Sequence, residues 1–148
     1  MEILHYSQCE NKAVWLEQIR RYEWRAAAYL TSLLEADQLH CAIGQGELLL
    51  LTEGEKLVSF ATFGQRDCID DTSLGPWIGF VHTAPEYRGR RCAGVLIDYA
   101  LDMARAQHVD KVYICTDHKG LYEKYGFTYL FSRRDIYGSM EDILVREV

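Results

Sequence analysis

The sequence predicts a mixed α/β sheet with helices on both faces, folded as a single domain over residues 1–148. Three observations carry that expectation. Strand-like and helix-like patterns are mixed along the whole chain, with no internal repeat or linker between them. Two β-rich runs joined by Glu53-Gly54-Glu55 read as a hairpin, which supplies antiparallel pairing. A strand–loop–helix–strand unit over residues 77–116 then forces one parallel pair, because a crossover helix returns the chain to the same end of the sheet.

Residues 2–6 read as a short strand. Asn11 is placed to cap a helix running to about residue 24, with Val14, Trp15, Gln18, Ile19 and Tyr22 on its less charged face. A second helical pattern runs from Ala26 to Ala36 and ends near Asp37. Glu47 to Thr52 and Lys56 to Phe63 are the hairpin strands, and Trp77 to Thr83 is a third apolar run. From Ala93 to Gln107 the period becomes helical: Leu96, Ile97, Ala100, Leu101 and Ala104 share one face, and Asp98, Asp102 and Arg105 the other. Such a helix covers a sheet. Lys111 to Thr116 reads as a buried strand and Gly120 to Tyr125 as a short helix that Gly126 ends. Phe127 to Ser132 and Asp142 to Arg146 close the sheet. The predicted order is β-α-α-β-β-β-α-β-α-β-β.

At 148 residues with 49% hydrophobic content, the chain can bury a core without disulfides or metal staples. Apolar runs such as Leu48 to Leu51 are too short to cross a bilayer, and the N-terminus lacks a signal-peptide pattern, so a cytoplasmic protein with no membrane partner is expected. Cys9, Cys41, Cys68, Cys92 and Cys115 are odd in number and form no C-x-x-C pair, which suits reduced thiols better than disulfides or zinc. His5, His40, His82, His108 and His118 likewise form no H-x-x-x-H pair, and no metal is expected. A net charge of -6 argues against a nucleic-acid partner, which would need a broad basic surface.

The positive charge is instead local. Arg88, Arg90 and Arg91 fall within Pro85-Glu-Tyr-Arg-Gly-Arg-Arg-Cys-Ala-Gly94, between the third strand and the amphipathic helix. Backbone N–H groups at a helix start lack intrahelical partners and, with the helix dipole, attract anions. A solvated turn would have no need of three arginines there, where the dipole disfavours cations unless an anion is present. Gly89 and Gly94 have the spacing of a Walker loop, but Val95 and Leu96 follow where that loop needs Lys and Ser/Thr, so a magnesium-dependent phosphotransferase is disfavoured. A dinucleotide fingerprint is also missing.

What remains, Arg88-x-x-x-x-Ala93 after Val81-x-x-x-Pro85, resembles the acyl-CoA loop of the GNAT superfamily of acetyl-CoA-dependent N-acetyltransferases, with Arg91 in place of the middle glycine. Leu121-Tyr-Glu-Lys-Tyr-Gly-Phe127 is similar to that family's Tyr-Glu-Lys-x-Gly-Phe segment. Motif support spans about residues 45–132, and the first third agrees in element order alone.

The resemblance implies a GNAT-like fold whose central parallel strands splay apart to admit acetyl-CoA as co-substrate. Phe80, Val81, His82 and Thr83 would offer strand-edge contacts to the thioester arm. Arg88, Gly89, Arg90, Arg91, Cys92, Ala93 and Gly94 would hold the diphosphate. Arg91 must then adopt a negative φ or tolerate strain. Tyr122 would serve as general acid to the departing CoA thiolate; from local context alone it reads as an amphipathic core residue. The general base stays open among His82, Asp117 and His118, and His82, on an apolar strand, also reads as structural. Trp15, Trp24, Asp67, Asp70, Asp71 and Trp77 lie in regions that shape the acceptor; Trp24, Asp70, Asp71 and Trp77 are its candidate binding residues, suited to an amine cation. Solvated aspartates and a core Trp15 are the plainer reading. The expected activity is direct acetyl transfer to a small-molecule or peptide amine, Cys92 lacking a neighbouring histidine for a covalent route. A non-catalytic acyl-CoA-binding or sensing module is the alternative, and a homodimer is left open.

Overall fold

The computed structural model describes residues 1–148 in full. In chain order its elements are β1 (Glu2–His5), α1 (Lys12–Arg20), α2 (Arg25–Glu35), α3 (Leu39–Ile43), β2 (Gly46–Glu53), β3 (Lys56–Gly64), β4 (Trp77–Thr83), α4 (Cys92–Ala106), β5 (Lys111–Thr116), β6 (Thr128–Arg134) and β7 (Met140–Glu147). The strands form one sheet in the order β1-β2-β3-β4-β5-β7-β6. Only β4 and β5 run parallel, as the crossover through α4 requires.

Period-two alternation in β2 creates the layers. Leu49 and Leu51 point to the α4 face, where they join Leu96, Ile97, Ala100, Leu101 and Ala104. Leu48 and Leu50 point to the opposite face and pack with Trp15, Ile19, Ala27 and Leu30 of α1 and α2. All four leucines are at most 1% exposed, so the central sheet is covered on both sides. Asp98, Asp102 and Arg105 occupy the exposed face of α4, as their spacing predicts. A smaller cluster of Ile69, Trp77, Tyr113 and Ile143 lies under the β3–β4 loop.

The departures from expectation are local. α1 stops at Arg20, and Asn11 occupies its N-cap position without a side-chain cap bond. The five-residue α3 is an addition to the predicted order. Residues 120–125 hold only a 3₁₀ turn, Tyr122–Tyr125, which Gly126 ends with φ 88°.

The cysteine expectation needs correction. Cys68 and Cys115 form a disulfide across 47 residues of sequence, with Cα atoms 6.7 Å apart. Spacing could not reveal it, because the β3–β4 loop meets the end of β5 only in the folded sheet. Cys9, Cys41 and Cys92 are free. The expectation of reduced thiols therefore fails for Cys68 and Cys115. No helix is long and apolar enough to cross a membrane.

Candidate active site

β4 and β5 pair only at Trp77 with Tyr113 and Ile78 with Ile114. Past Ile78, β4 bulges against β3: Gly79 faces Thr62 and His82 faces Phe60, so Phe80 and Val81 together oppose Ala61. Phe80 takes a left-handed φ of 48° at the bulge, a costly conformation for a bulky residue. The result is the splayed central pair, and a cavity opens at each side of the gap.

One cavity, of about 590 Å³, is walled by Val81, His82 and Thr83, by the loop residues Arg88, Gly89, Arg91, Cys92 and Ala93, and by Tyr122 and Tyr125. Its loop carries the feature expected of an anion site. The first hydrogen bond of α4 runs from the Val95 N–H to the Arg91 carbonyl, and no backbone N–H from Gly89 through Gly94 donates to a protein acceptor. The three guanidinium groups are also without carboxylate partners. Arg88 Nε donates to the Thr83 carbonyl at 3.3 Å. Arg91 lies 5.3 Å from the Tyr125 ring centroid, whereas Arg90 lies over Tyr87 and outside the cavity wall.

Arg91 has φ 59°, the left-handed conformation that glycine would adopt freely, so the substitution is tolerated as strain. Gly94 answers a packing need: a Cβ there would stand 2.7 Å from Tyr125 Cε1.

Tyr122 is 6% exposed and packs edge-on to Phe127 with ring centroids 6.4 Å apart. Burial first, then the charges of Asp67, Tyr125 and Asp117, push its pKa above the ordinary phenol value. The hydroxyl keeps its proton at neutral pH and can act as a donor. His82 sits against Trp24 at 5.0 Å and Tyr22 at 4.5 Å, with Nε2 buried and unpaired. Desolvation, aided by Arg88, lowers its pKa. Asp117 and His118 are exposed beyond the end of β5, with His118 on the wall of this cavity and Asp117 on that of the other.

The second cavity, of about 640 Å³, shares Trp24 with the first. Asp67, Asp117, Asp135 and Glu141 give it four carboxyl groups against one cation, Arg25, and Trp24, Tyr29, Phe80 and Tyr137 give it aromatic walls. Asp135 accepts the Tyr137 and Ser139 N–H groups at 2.9 Å and so shapes the β6–β7 turn. The other sequence candidates for the acceptor lie elsewhere. Trp77 is 1% exposed, with its indole N–H donating to the Leu74 carbonyl. Asp71 accepts from the Ser73 N–H and hydroxyl and pairs with Arg133, and neither it nor Asp70 lines the cavity.

Asp67 is the residue whose environment sequence reading did not anticipate. Its side chain is half-buried, with Oδ1 packed against Gly79 of β4 and one side open to the cavity. Burial pushes its pKa up to about 7; the Cys68 N–H opposes the rise, and Glu141 and Asp135 add to it. The disulfide lies alongside, an Asp67 carboxylate oxygen and the sulfurs of Cys68 and Cys115 all falling within 4.8 Å of one another. Because the sulfurs are bonded to each other, they are not free thiolates for a metal. Asp135 and Glu141 lie far from Asp67 in sequence, and no local motif marks the three as one site.

A family model described as the acetyltransferase (GNAT) family matches residues 12–127. No curated protein matches the chain in sequence. Among solved structures, it is similar to an acetyltransferase from Streptococcus agalactiae, with 21% identity over 99% of this chain and 98% of that one and a TM-score of 0.68. It is also similar to a GNAT family acetyltransferase from Elizabethkingia anophelis with acetyl-CoA bound, at 14% identity, 99% and 97% coverage and a TM-score of 0.68. An aminoglycoside 6'-N-acetyltransferase from Enterococcus faecium is similar at 14% identity, 99% and 97% coverage and a TM-score of 0.70. At these identities the structural likeness is one of fold.

Proposed function

The chain belongs to the GNAT family of acetyltransferases, and we propose that it moves an acetyl group from acetyl-CoA to a primary amine by direct attack. The observation that carries this reading is the run of unbonded N–H groups from Gly89 to Gly94, of which Gly89, Arg91, Cys92 and Ala93 line the cavity that Tyr122 also lines. Such a run suits a diphosphate, with Arg88 and Arg91 supplying charge-assisted contacts. The thioester arm of acetyl-CoA then lies along the unpaired edge of residues 80–83, whose amides polarise the carbonyl. Acetyl-CoA supplies the activated acyl group.

The amine enters from the other side of the gap, through the acidic and aromatic cavity. Four carboxyl groups against one guanidinium select for a cation, and Trp24, Tyr29, Phe80 and Tyr137 add ring faces for it. As the amine nitrogen bonds to the carbonyl carbon and the C–S bond breaks, the electron pair stays on sulfur. Tyr122 donates its proton to that sulfur. An aminoglycoside 6'-N-acetyltransferase is among the fold neighbours.

The test is free-thiol release from acetyl-CoA across n-butylamine, 1,4-diaminobutane, spermidine and a lysine-containing peptide. At least one amine is expected to release CoA. Tyr122→Phe should then lower kcat by about 10²-fold, the low end for a positioned acid, with acetyl-CoA binding unchanged by calorimetry. Saturable acetyl-CoA binding with no thiol release from any amine would leave a non-catalytic binding module instead.

A further inference from the structure

Removal of the ammonium proton is the step whose base the sequence leaves open among His82, Asp117 and His118; Asp117 and His118 lie exposed beyond β5, and His82 stands on the wall of the other cavity, against Trp24 and Tyr22. We propose that Asp67 is the proton acceptor of the transfer, its carboxylate seated on the bare α-carbon of Gly79 where β4 and β5 part and open to the cavity that receives the amine. The assignment rests on the acetyl-transfer reading above.

Three contacts fix the carboxyl there. A Cβ built on Gly79 would fall on Asp67 Oδ1, so the oxygen occupies space that only glycine leaves free. Gly79 is the first β4 residue after the last pair with β5, which brings the carboxyl to the mouth of the gap. On the other flank, the Cys68–Cys115 disulfide ties the next residue to β5, and the Ile136 N–H donates to the Cys68 carbonyl at 2.8 Å. The group is held between β4, β5 and the β6–β7 turn.

Its charged neighbours suit the task. Glu141 and Asp135 approach from β7 and its turn, Tyr137 from the same turn, and Asp117 from the end of β5; Tyr122 faces it across the gap, and Arg25 on α2 is the one cation of the cavity. These carboxylates and the burial together favour the proton on Asp67 once it arrives, and the value of about 7 keeps much of the group ionised near neutral pH. The protons balance. The ammonium nitrogen loses two: one passes through Asp67 to solvent, and the other restores the proton that Tyr122 gives to sulfur. Net, acetyl-CoA and R-NH₃⁺ yield the N-acetyl amine, free CoA and one H⁺.

The test uses the intact protein and the most reactive amine of the panel. Wild-type kcat/KM is expected to fall below an inflection near pH 7. In Asp67→Asn, kcat should drop about 10²–10³-fold and that inflection should vanish, leaving a rate that climbs with pH toward the free amine's own pKa, while acetyl-CoA binding stays within about twofold. Asp67→Glu should recover part of the rate together with an inflection. An Asp67→Asn enzyme that keeps the wild-type rate overturns the proposal, as does one that is slower but retains the inflection, since that marks a positioning role only. Should Asp67→Asn fail to fold, ¹³C carboxyl titration of the wild type decides: a value near 7 supports the assignment, and one in the ordinary carboxylate range overturns it. A wild type that binds acetyl-CoA but acetylates no amine fails the functional reading itself, whatever Asp67 does.

Discussion

Replacing Asp67 by Asn removes a titrating group from a half-buried position while keeping its shape, so the difference in stability between the two proteins isolates the cost of charging that carboxyl. The folded pKa is about 7 against an ordinary value of 3.8. Below 3.8 both folded and unfolded chains hold the proton and the charge costs nothing. As pH rises toward 7, the unfolded chain releases the proton while the folded one retains it, so stability falls; above 7 the loss levels off. At about 1.4 kcal/mol per pH unit that interval corresponds to about 4 kcal/mol. Urea unfolding of wild type and Asp67→Asn with the disulfide intact, at pH steps from 4 to 9, measures it. The variant should match the wild type near pH 4 and exceed it by about 4 kcal/mol at pH 9, on the order-of-magnitude linkage above. A difference that stays flat across that window would refute the half-buried, charge-averse environment assigned to Asp67.

Two further outcomes follow from the same geometry. Gly79→Ala must push the Asp67 carboxyl aside, and because the displaced atom ends a flexible side chain, stability should fall by only about 1 kcal/mol while kcat drops at unchanged acetyl-CoA affinity; denaturant titration and steady-state kinetics together check it. Arg88→Ala and Arg91→Ala should each weaken acetyl-CoA binding about tenfold, the range for one charge-assisted contact. Arg90→Ala, whose guanidinium lies over Tyr87 outside the cavity, should leave calorimetric affinity nearly unchanged.

Legibility followed the range of the interactions. The inward face of α4 was readable because Leu96, Ile97, Ala100, Leu101 and Ala104 repeat with the helix period, and β5 was bounded by a run of apolar residues. The basic turn was readable as a candidate anion site because a helix start offers its N–H groups through chain connectivity alone. Tyr122 was found by its motif, and its burial and raised pKa became visible only once Phe127 and the acidic cavity surrounded it. Trp77 and Asp71 were chosen for residue type and position near the acceptor loop, yet one is core and the other builds a turn.

The amino-acid order was enough to establish the alternation of elements, the parallel crossover and the basic turn, since each depends on neighbours within a few residues or one helix period. The Cys68–Cys115 bond, the exclusion of Arg90 from the cleft and the meeting of Asp67 with Gly79, Asp135 and Glu141 were settled by folding. They depend on how β4 diverges from β5 and on which distant loops fill the opening, and no local pattern encodes a contact between segments that approach each other only after the sheet has formed.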